Sequence, residues 1–245
     1  MSGHSKWANI KHRKAAQDAR KANVFTKIAK DITIAARDGG GDPDSNFRLR
    51  LVMDKARAVN MPNENIIRAI KRGTGELKDS AAIEEVMYEA YGPGQIALLI
   101  KAVTDNKNRT LQEVRNVLNK NGGKMVEGGG VAWQFEQVGN MLVSADGFSA
   151  DEADEVETAI IESGAKDYRR GENSFLVFTA AKELREVKEA LEKGGFTVRE
   201  PGLIYISKTP ASMDENTRID YEKLLTALDE NDDVTEVYDN IHSRS

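Results

Sequence analysis

The 245-residue chain contains no cysteine. That excludes disulfides, thiolate metal sites and cysteine nucleophiles together, and it suits a reducing cytoplasm. Histidine is almost as scarce. His4, His12 and His242 are the full set, and none stands in a metal-ligand spacing such as HExxH. No run of eighteen apolar residues occurs, so no segment reads as a membrane span. Nor is there an apolar h-region behind the basic start: Ala8-Asn-Ile-Lys-His-Arg13 stands there, which argues against a secretory signal. GxSxG and Walker A patterns are absent. Gly73-Thr-Gly75 and Gly92-Pro-Gly94 lack the rest of a dinucleotide fingerprint and read as helix-stop and turn chemistry. The expectation is a non-enzymatic protein without metal or cofactor.

What is present is a charge split. The formal net charge is −5, yet residues 1–75 hold 16 Lys and Arg against 7 Asp and Glu, and the remainder holds 19 against 33. Eight of the basic residues fall in the first thirty positions, with Asp18 the single acid there. A basic end for a polyanion and an acidic body that repels one, or that faces a protein partner, is the direct reading.

With 40% hydrophobic residues and five prolines the composition is that of a folded chain, long enough for two or three small domains. Residues 1–77 read as helical. Val24, Phe25, Ile28, Ile32 and Ala35/Ala36 recur at helical spacing up to Gly39-Gly40-Gly41. Asp44 or Ser45 is the expected cap of a second helix, with Phe47, Leu51, Val52, Ala56 and Val59 on its buried side. Asn63 is the expected cap of a third, carrying Ile66, Ile67 and Ile70.

Beyond residue 83 the period shortens. Strands are expected over 86–91 and 95–104 around the Gly-Pro-Gly turn, then a helix ending at Gly122-Gly123. Further strands are expected at 131–138 and 141–145, a helix at 151–163, and strands at 167–170 and 174–179. They are followed by a helix at 182–193, a segment 196–207 broken at Pro201-Gly202, a helix at 218–231 and a strand at 234–238. Residues 132–205 have the element order of a ferredoxin-like unit with one split strand. The block before them lacks its second half, which the end of the chain supplies as strand-helix-strand. The expected architecture is therefore α+β. A three-helix basic domain with an N-terminal arm spans 1–77. A discontinuous ferredoxin-like α/β domain combines 78–131 with 206–245. The second ferredoxin-like α/β domain, 132–205, is inserted in it.

Two tempting motifs have plainer explanations. Asp151-Glu152-Ala-Asp154-Glu155-Val-Glu157 has the acidity of a cation site but also that of a helix N-terminus, where the dipole favours carboxylates. Arg170-Gly171-Glu-Asn-Ser-Phe175-Leu-Val-Phe178 approaches an RNP1 motif but lacks the aromatic after glycine and is off by one in spacing. With 8 basic against 15 acidic residues in 132–205, core packing accounts better for Phe175 and Phe178.

That leaves the basic end. Lys6, Arg13, Arg20 and Lys27 are spaced by sevens, with Lys14 and Lys21 beside them. On a single helix this face is basic before residue 22 and apolar after residue 24, so the apolar half is expected to dock and the basic half to project. A projecting basic arm suits a phosphate backbone. The candidate nucleic-acid-binding residues are Lys6, Trp7, Lys11, His12, Arg13, Lys14, Arg20, Lys21, Lys27 and Lys30, extended by Arg48, Arg50, Arg68, Lys71 and Arg72. Trp7 has two readings, stacking on an unpaired base or folding back as an apolar anchor.

Several stretches together resemble the YebC/PmpR family over essentially the whole chain. They begin with Met1-Ser-Gly-His-Ser-Lys-Trp-Ala-Asn-Ile-Lys-His-Arg-Lys14, Phe25-Thr-Lys27 and Gly40-Gly-Asp-Pro-Asp-Ser-Asn-Phe-Arg48. Asn60-Met-Pro-Asn-Glu-Asn-Ile-Ile-Arg-Ala-Ile-Lys-Arg-Gly73 follows. Tyr91-Gly-Pro-Gly94, Thr104-Asp-Asn-Lys-Asn-Arg-Thr110 and Val131-Ala-Trp-Gln-Phe135 complete the set. Ala90 and Gln95 stand where that family often carries glycine. The resemblance implies three domains and no catalytic residues. It implies either a cytoplasmic DNA-binding transcriptional regulator or a translation factor gripping ribosomal RNA through the arm, as in mitochondrial translational activators. The absence of an evident base-reading helix leans toward the second, and the family's usual name toward the first.

Overall fold

The computed structural model describes residues 17–77, 82–144 and 150–241, with backbone alone for 17–21 and 150–153. Residues 135–208 form one compact unit, and the described residues on either side of them form the other.

Three helices open the described residues: α1 (Gln17–Gly39), α2 (Phe47–Ala58) and α3 (Asn63–Gly73). Along α1, Ile28, Ile32, Ala35 and Ala36 form one stripe and pack with Leu49, Met53 and Ala56 of α2 and with Ile66 and Ala69 of α3. The junction of α1 and α2 turns on Asn46, which displaces Asp44 and Ser45 as the cap. Its side-chain oxygen accepts from the Leu49 N–H, while its amide donates to the carbonyls of Ala35 and Gly40, both at 2.8 Å. Only a residue with both a donor and an acceptor closes one helix and opens the next. Asp42 instead organises the turn, accepting from the Asp44 N–H and the Ser45 hydroxyl. On α3, Pro62 occupies the cap position and Asn63 begins the helix. Gly73 at its end is required by contact: a Cβ there would lie 2.4 Å from the Thr33 carbonyl oxygen of α1.

The first sheet has strands β1 (Glu84–Tyr91), β2 (Ala97–Thr104), β3 (Lys124–Val126) and β8 (Val234–Asp239), all antiparallel in the order β3-β1-β2-β8. Helices α4 (Lys107–Lys120) and α7 (Glu215–Asp229) cover one face. Val114 and Leu118 of α4 and Tyr221, Leu224, Leu225 and Leu228 of α7 meet Tyr88, Ala90, Leu98 and Ile100 there. The chain leaves this sheet after β3 and returns with α7 and β8. Its fourth strand is thus the three-residue β3, not a second strand from the chain's end, where before α7 only Ala211 bridges, to Ile241. At the β1–β2 turn Gln95 adopts φ +59°, the left-handed conformation that explains why glycine fits this place.

The second unit contains β4 (Phe135–Ser144), α5 (Ala150–Glu162), β5 (Asp167–Arg170), β6 (Ser174–Ala180), α6 (Leu184–Lys193) and β7 (Val198–Ser207). Its βαββαβ order and sheet β5-β6-β4-β7 are those of a ferredoxin-like unit. The two strands expected at 131–145 are one strand, β4, running unbroken through Gly139. The break expected at Pro201-Gly202 is a bulge inside β7, with Glu200 at φ +50° and a register shift opposite Asn140 and Leu142. Phe175 and Phe178 are both buried, Phe178 with Val138 and Leu176 in one cluster, Phe175 edge-on to Tyr168 at 6.1 Å between ring centres.

Candidate nucleic-acid interface

Helix geometry sorts the basic residues of the first domain. At 100° per residue, Lys27, Lys30, Asp31 and Ile34 share the side of α1 opposite its apolar stripe. That side lies on the first sheet, where Ile34 packs with Ile83 and Val103. Lys27 is 5% exposed, and its ammonium donates to the Asp229 carboxylate at 3.0 Å. Burial lowers its pKa, with Asp229 opposing. Lys30 lies 2.5 Å from Asp233 and donates to the Asp232 carbonyl at 2.8 Å. Burial alone would raise the Asp233 pKa, but hydrogen bonds from Lys30, Thr110 and Arg109 outweigh it and hold the carboxyl at about 2. Both lysines are therefore committed to carboxylates at the end of α7 and the start of β8, and their charge is neutralised within the fold.

The same face carries a second cluster. Lys101 of β2 stands 3.6 Å from Asp31, 3.5 Å from Glu85 and 3.6 Å from Glu236. Burial would lower its pKa, but the three carboxylates raise it. Arg48 reaches Glu85 at 2.5 Å and Asp38 at 3.3 Å, and Lys55 reaches Glu236 at 3.1 Å. Arg50 donates to the backbone carbonyls of Pro43 and Asp44, both at 3.0 Å, and so fixes the turn before α2.

Arg68, Lys71 and Arg72 differ from all of these. They are exposed on the outer side of α3, opposite the buried Ile66 and Ala69, and none of their side chains makes a hydrogen bond or ion pair among the described residues. Ile67, expected in the core, lies beside them at 45% exposure, because one residue's step from Ile66 turns it 100° outward. Sequence reading missed this apolar member; its signal is the same periodicity, with Ala69 rather than Ile67 on the inward side. The α3 outer face thus carries three cations without ion pairs among the described residues, beside the exposed Ile67 and Glu64, and is suited to phosphate contact rather than to proton transfer or metal binding. Among the described residues no group of three or more His, Asp or Glu side chains is arranged to hold a metal ion. No described helix is long and apolar enough to cross a membrane.

Arg20 and Lys21 lie on the first turns of α1, with side chains outside the described residues. Lys6, Trp7, Lys11, His12, Arg13 and Lys14 lie wholly outside the described residues.

Residues 5–76 match the family described as the TACO1/YebC protein N-terminal domain, and residues 83–241 that described as the TACO1/YebC second and third domain. A probable transcriptional regulatory protein of Thermoanaerobacter pseudethanolicus is 47% identical over 241 residues, covering 98% of this chain and 97% of that one. One from Fervidobacterium nodosum is 50% identical over 240 residues, covering 98% and 93%. The crystal structure of a conserved hypothetical protein from Aquifex aeolicus superposes with TM-score 0.84 at 42% identity, covering 97% of both chains.

Proposed function

The chain belongs to the TACO1/YebC family, and from that premise we propose that it regulates gene expression by gripping a nucleic-acid backbone with its basic helical domain, without catalytic turnover. The observation that carries this reading is the outer face of α3. Among the described residues, three cations stand there without side-chain partners, whereas Lys27, Lys30 and Arg48 of the same domain are paired. Unpaired Arg and Lys on one helix face bind phosphates by displacing condensed counterions. The N-terminal basic residues, from Lys6 to Lys21, add positive charge to the same domain. Duplex DNA is the target that the relatives' names point to.

A second reading has its own support. The α3 face offers three cations whose phosphate contacts carry no sequence information, and such a face serves structured ribosomal RNA equally. Crosslinking in living cells followed by sequencing of the attached nucleic acid separates the two. The wild-type chain is compared with Arg68→Ala/Lys71→Ala/Arg72→Ala. Promoter DNA, lost in the variant, supports transcriptional regulation; ribosomal RNA, lost in the variant, supports the translation reading. Crosslinks that survive unchanged in the variant contradict the α3 interface.

A further inference from the structure

Strand β1 is only partly paired on its outer side. Its inner side pairs with β2 from Glu84 to Tyr91, whereas β3 covers only Glu89–Tyr91. Over Glu84–Tyr88 no described strand takes up the outward backbone N–H and C=O groups. Beside this open edge lies a groove of about 330 Å³, lined by Met87, Leu111, Arg115, Met125, Val126 and Glu127. Its far rim is the loop that follows Val126. The Glu89 carboxylate accepts the backbone N–H groups of Gly129 at 2.6 Å, Val131 at 2.7 Å and Ala132 at 2.8 Å. Beyond Val126 the chain turns into this loop, and β3 ends opposite Glu89.

We infer that this edge and groove form a docking site for an extended peptide segment of a protein partner, which adds as a strand along Glu84–Tyr88 in line with β3. The chemistry selects that occupant. Outward backbone groups at strand spacing are satisfied by another extended backbone and not by a nucleic acid or a helix. Met87, Met125, Leu111 and Val126 give an apolar wall in which two flexible thioethers adapt to different side chains. The Arg115 side chain makes no ion pair or hydrogen bond among the described residues, so it supplies a cation for an acidic residue of the segment. The occupant is therefore an extended segment with apolar residues on alternate positions and a carboxylate near one end. The site goes beyond the nucleic-acid reading and uses none of the α3 cations.

Selection of phage-displayed random heptapeptides on the intact chain tests this, with the enriched sequences made as synthetic peptides. The expected result is a set of peptides with alternating apolar residues and an acidic residue. Their Kd should rise at least tenfold with Met87→Lys, with Arg115→Glu, and with N-methylation of alternate peptide amides. Both substituted residues are on the surface, and an unchanged Tm in each variant keeps a loss of binding from reflecting misfolding. The inference is overturned if no peptide is enriched, if binding ignores both substitutions, or if N-methylated peptides bind as well. It is also overturned if the edge proves to pair two copies of the chain, seen as a dimer that Met87→Lys dissociates.

Discussion

Lys30 on α1 places its ammonium 2.5 Å from the carboxylate of Asp233, 203 residues further along the chain. The same carboxylate accepts from Arg109 at 2.9 Å and from the Thr110 hydroxyl at 2.6 Å. One buried anion thus ties the helical domain, α4 and the entry to β8 together. Asp233→Ala leaves Lys30 without its counter-charge and removes one partner of the Thr110 hydroxyl, which keeps Thr104 and the Asn106 carbonyl. The expected cost is about 3 kcal/mol, the lower end for breaking a buried pair because Arg109 can turn to solvent. Equilibrium urea denaturation measures it; a loss below about 0.5 kcal/mol, the size of an ordinary surface substitution, contradicts the tie.

The same carboxyl makes stability depend on acid. Its folded-state pKa is about 2, below the ordinary aspartate value of about 3.9. A depressed pKa gives stability that is full above the unfolded value and is lost as pH falls through the folded one. On the order of 2 kcal/mol should therefore disappear between roughly pH 5 and pH 2 in the wild type. Asp233→Asn should lack that component. Urea midpoints across this range should converge for the two proteins at the acid end, and parallel curves would show that Asp233 is not the titrating group.

Gly73 brings α3 against α1 so closely that a methyl group meets the Thr33 carbonyl oxygen at 2.4 Å. Gly73→Ala should destabilise the chain by about 1–3 kcal/mol, the cost of overpacking a tight contact, although alanine is the better helix former. Thermal unfolding checks it; an unchanged or higher Tm would mean that the two helices separate at little cost.

The Glu89 carboxylate receives three backbone N–H groups from the loop that carries Trp133, whose ring is 62% exposed and whose indole N–H donates to the Gly130 carbonyl at 3.2 Å. Burial raises the Glu89 pKa, and the three hydrogen bonds more than reverse it, holding the carboxyl below the usual range. Glu89→Ala should free the loop. Hydrogen exchange at Gly129, Val131 and Ala132 should accelerate by at least tenfold, while the exchange of α7 stays unchanged. Equal exchange at those three amides in both proteins would show that another contact fixes the loop.

Much of this architecture was legible because it rests on local patterns. The stripe Ile28, Ile32, Ala35 and Ala36 shows in the 3.6-residue period, and the ferredoxin-like order of the second unit shows in alternation and turn residues. What was illegible depends on distant partners. The seven-residue series through Arg20 and Lys27 reads as one basic face for a phosphate backbone, yet Lys27 meets Asp229 across 202 positions. Periodicity tells that residues share a face, not whether water or an aspartate lies opposite. Asn46 outcompeted Asp44 and Ser45 as cap because its amide also closes α1, a second contact that helix-start rules ignore. At three residues, β3 is too short to leave a period, and the continuity of β4 and β7 through glycine and proline is set by their neighbours in the sheet. For the interface, sequence located the basic end; only geometry separates the paired Lys27, Lys30 and Arg48 from the unpaired Arg68, Lys71 and Arg72.

The most direct test of the central claim is the salt dependence of nucleic-acid binding by the wild type and by Arg68→Ala/Lys71→Ala/Arg72→Ala. It is read by fluorescence anisotropy on one labelled DNA duplex and one labelled ribosomal RNA hairpin. If α3 contacts phosphates, the variant should keep its Tm, bind more weakly, and show a slope of log K against log salt shallower by up to about three for the duplex. A variant that binds both probes with the wild-type affinity and slope would contradict the account, and would leave α3 as a solvated helix face.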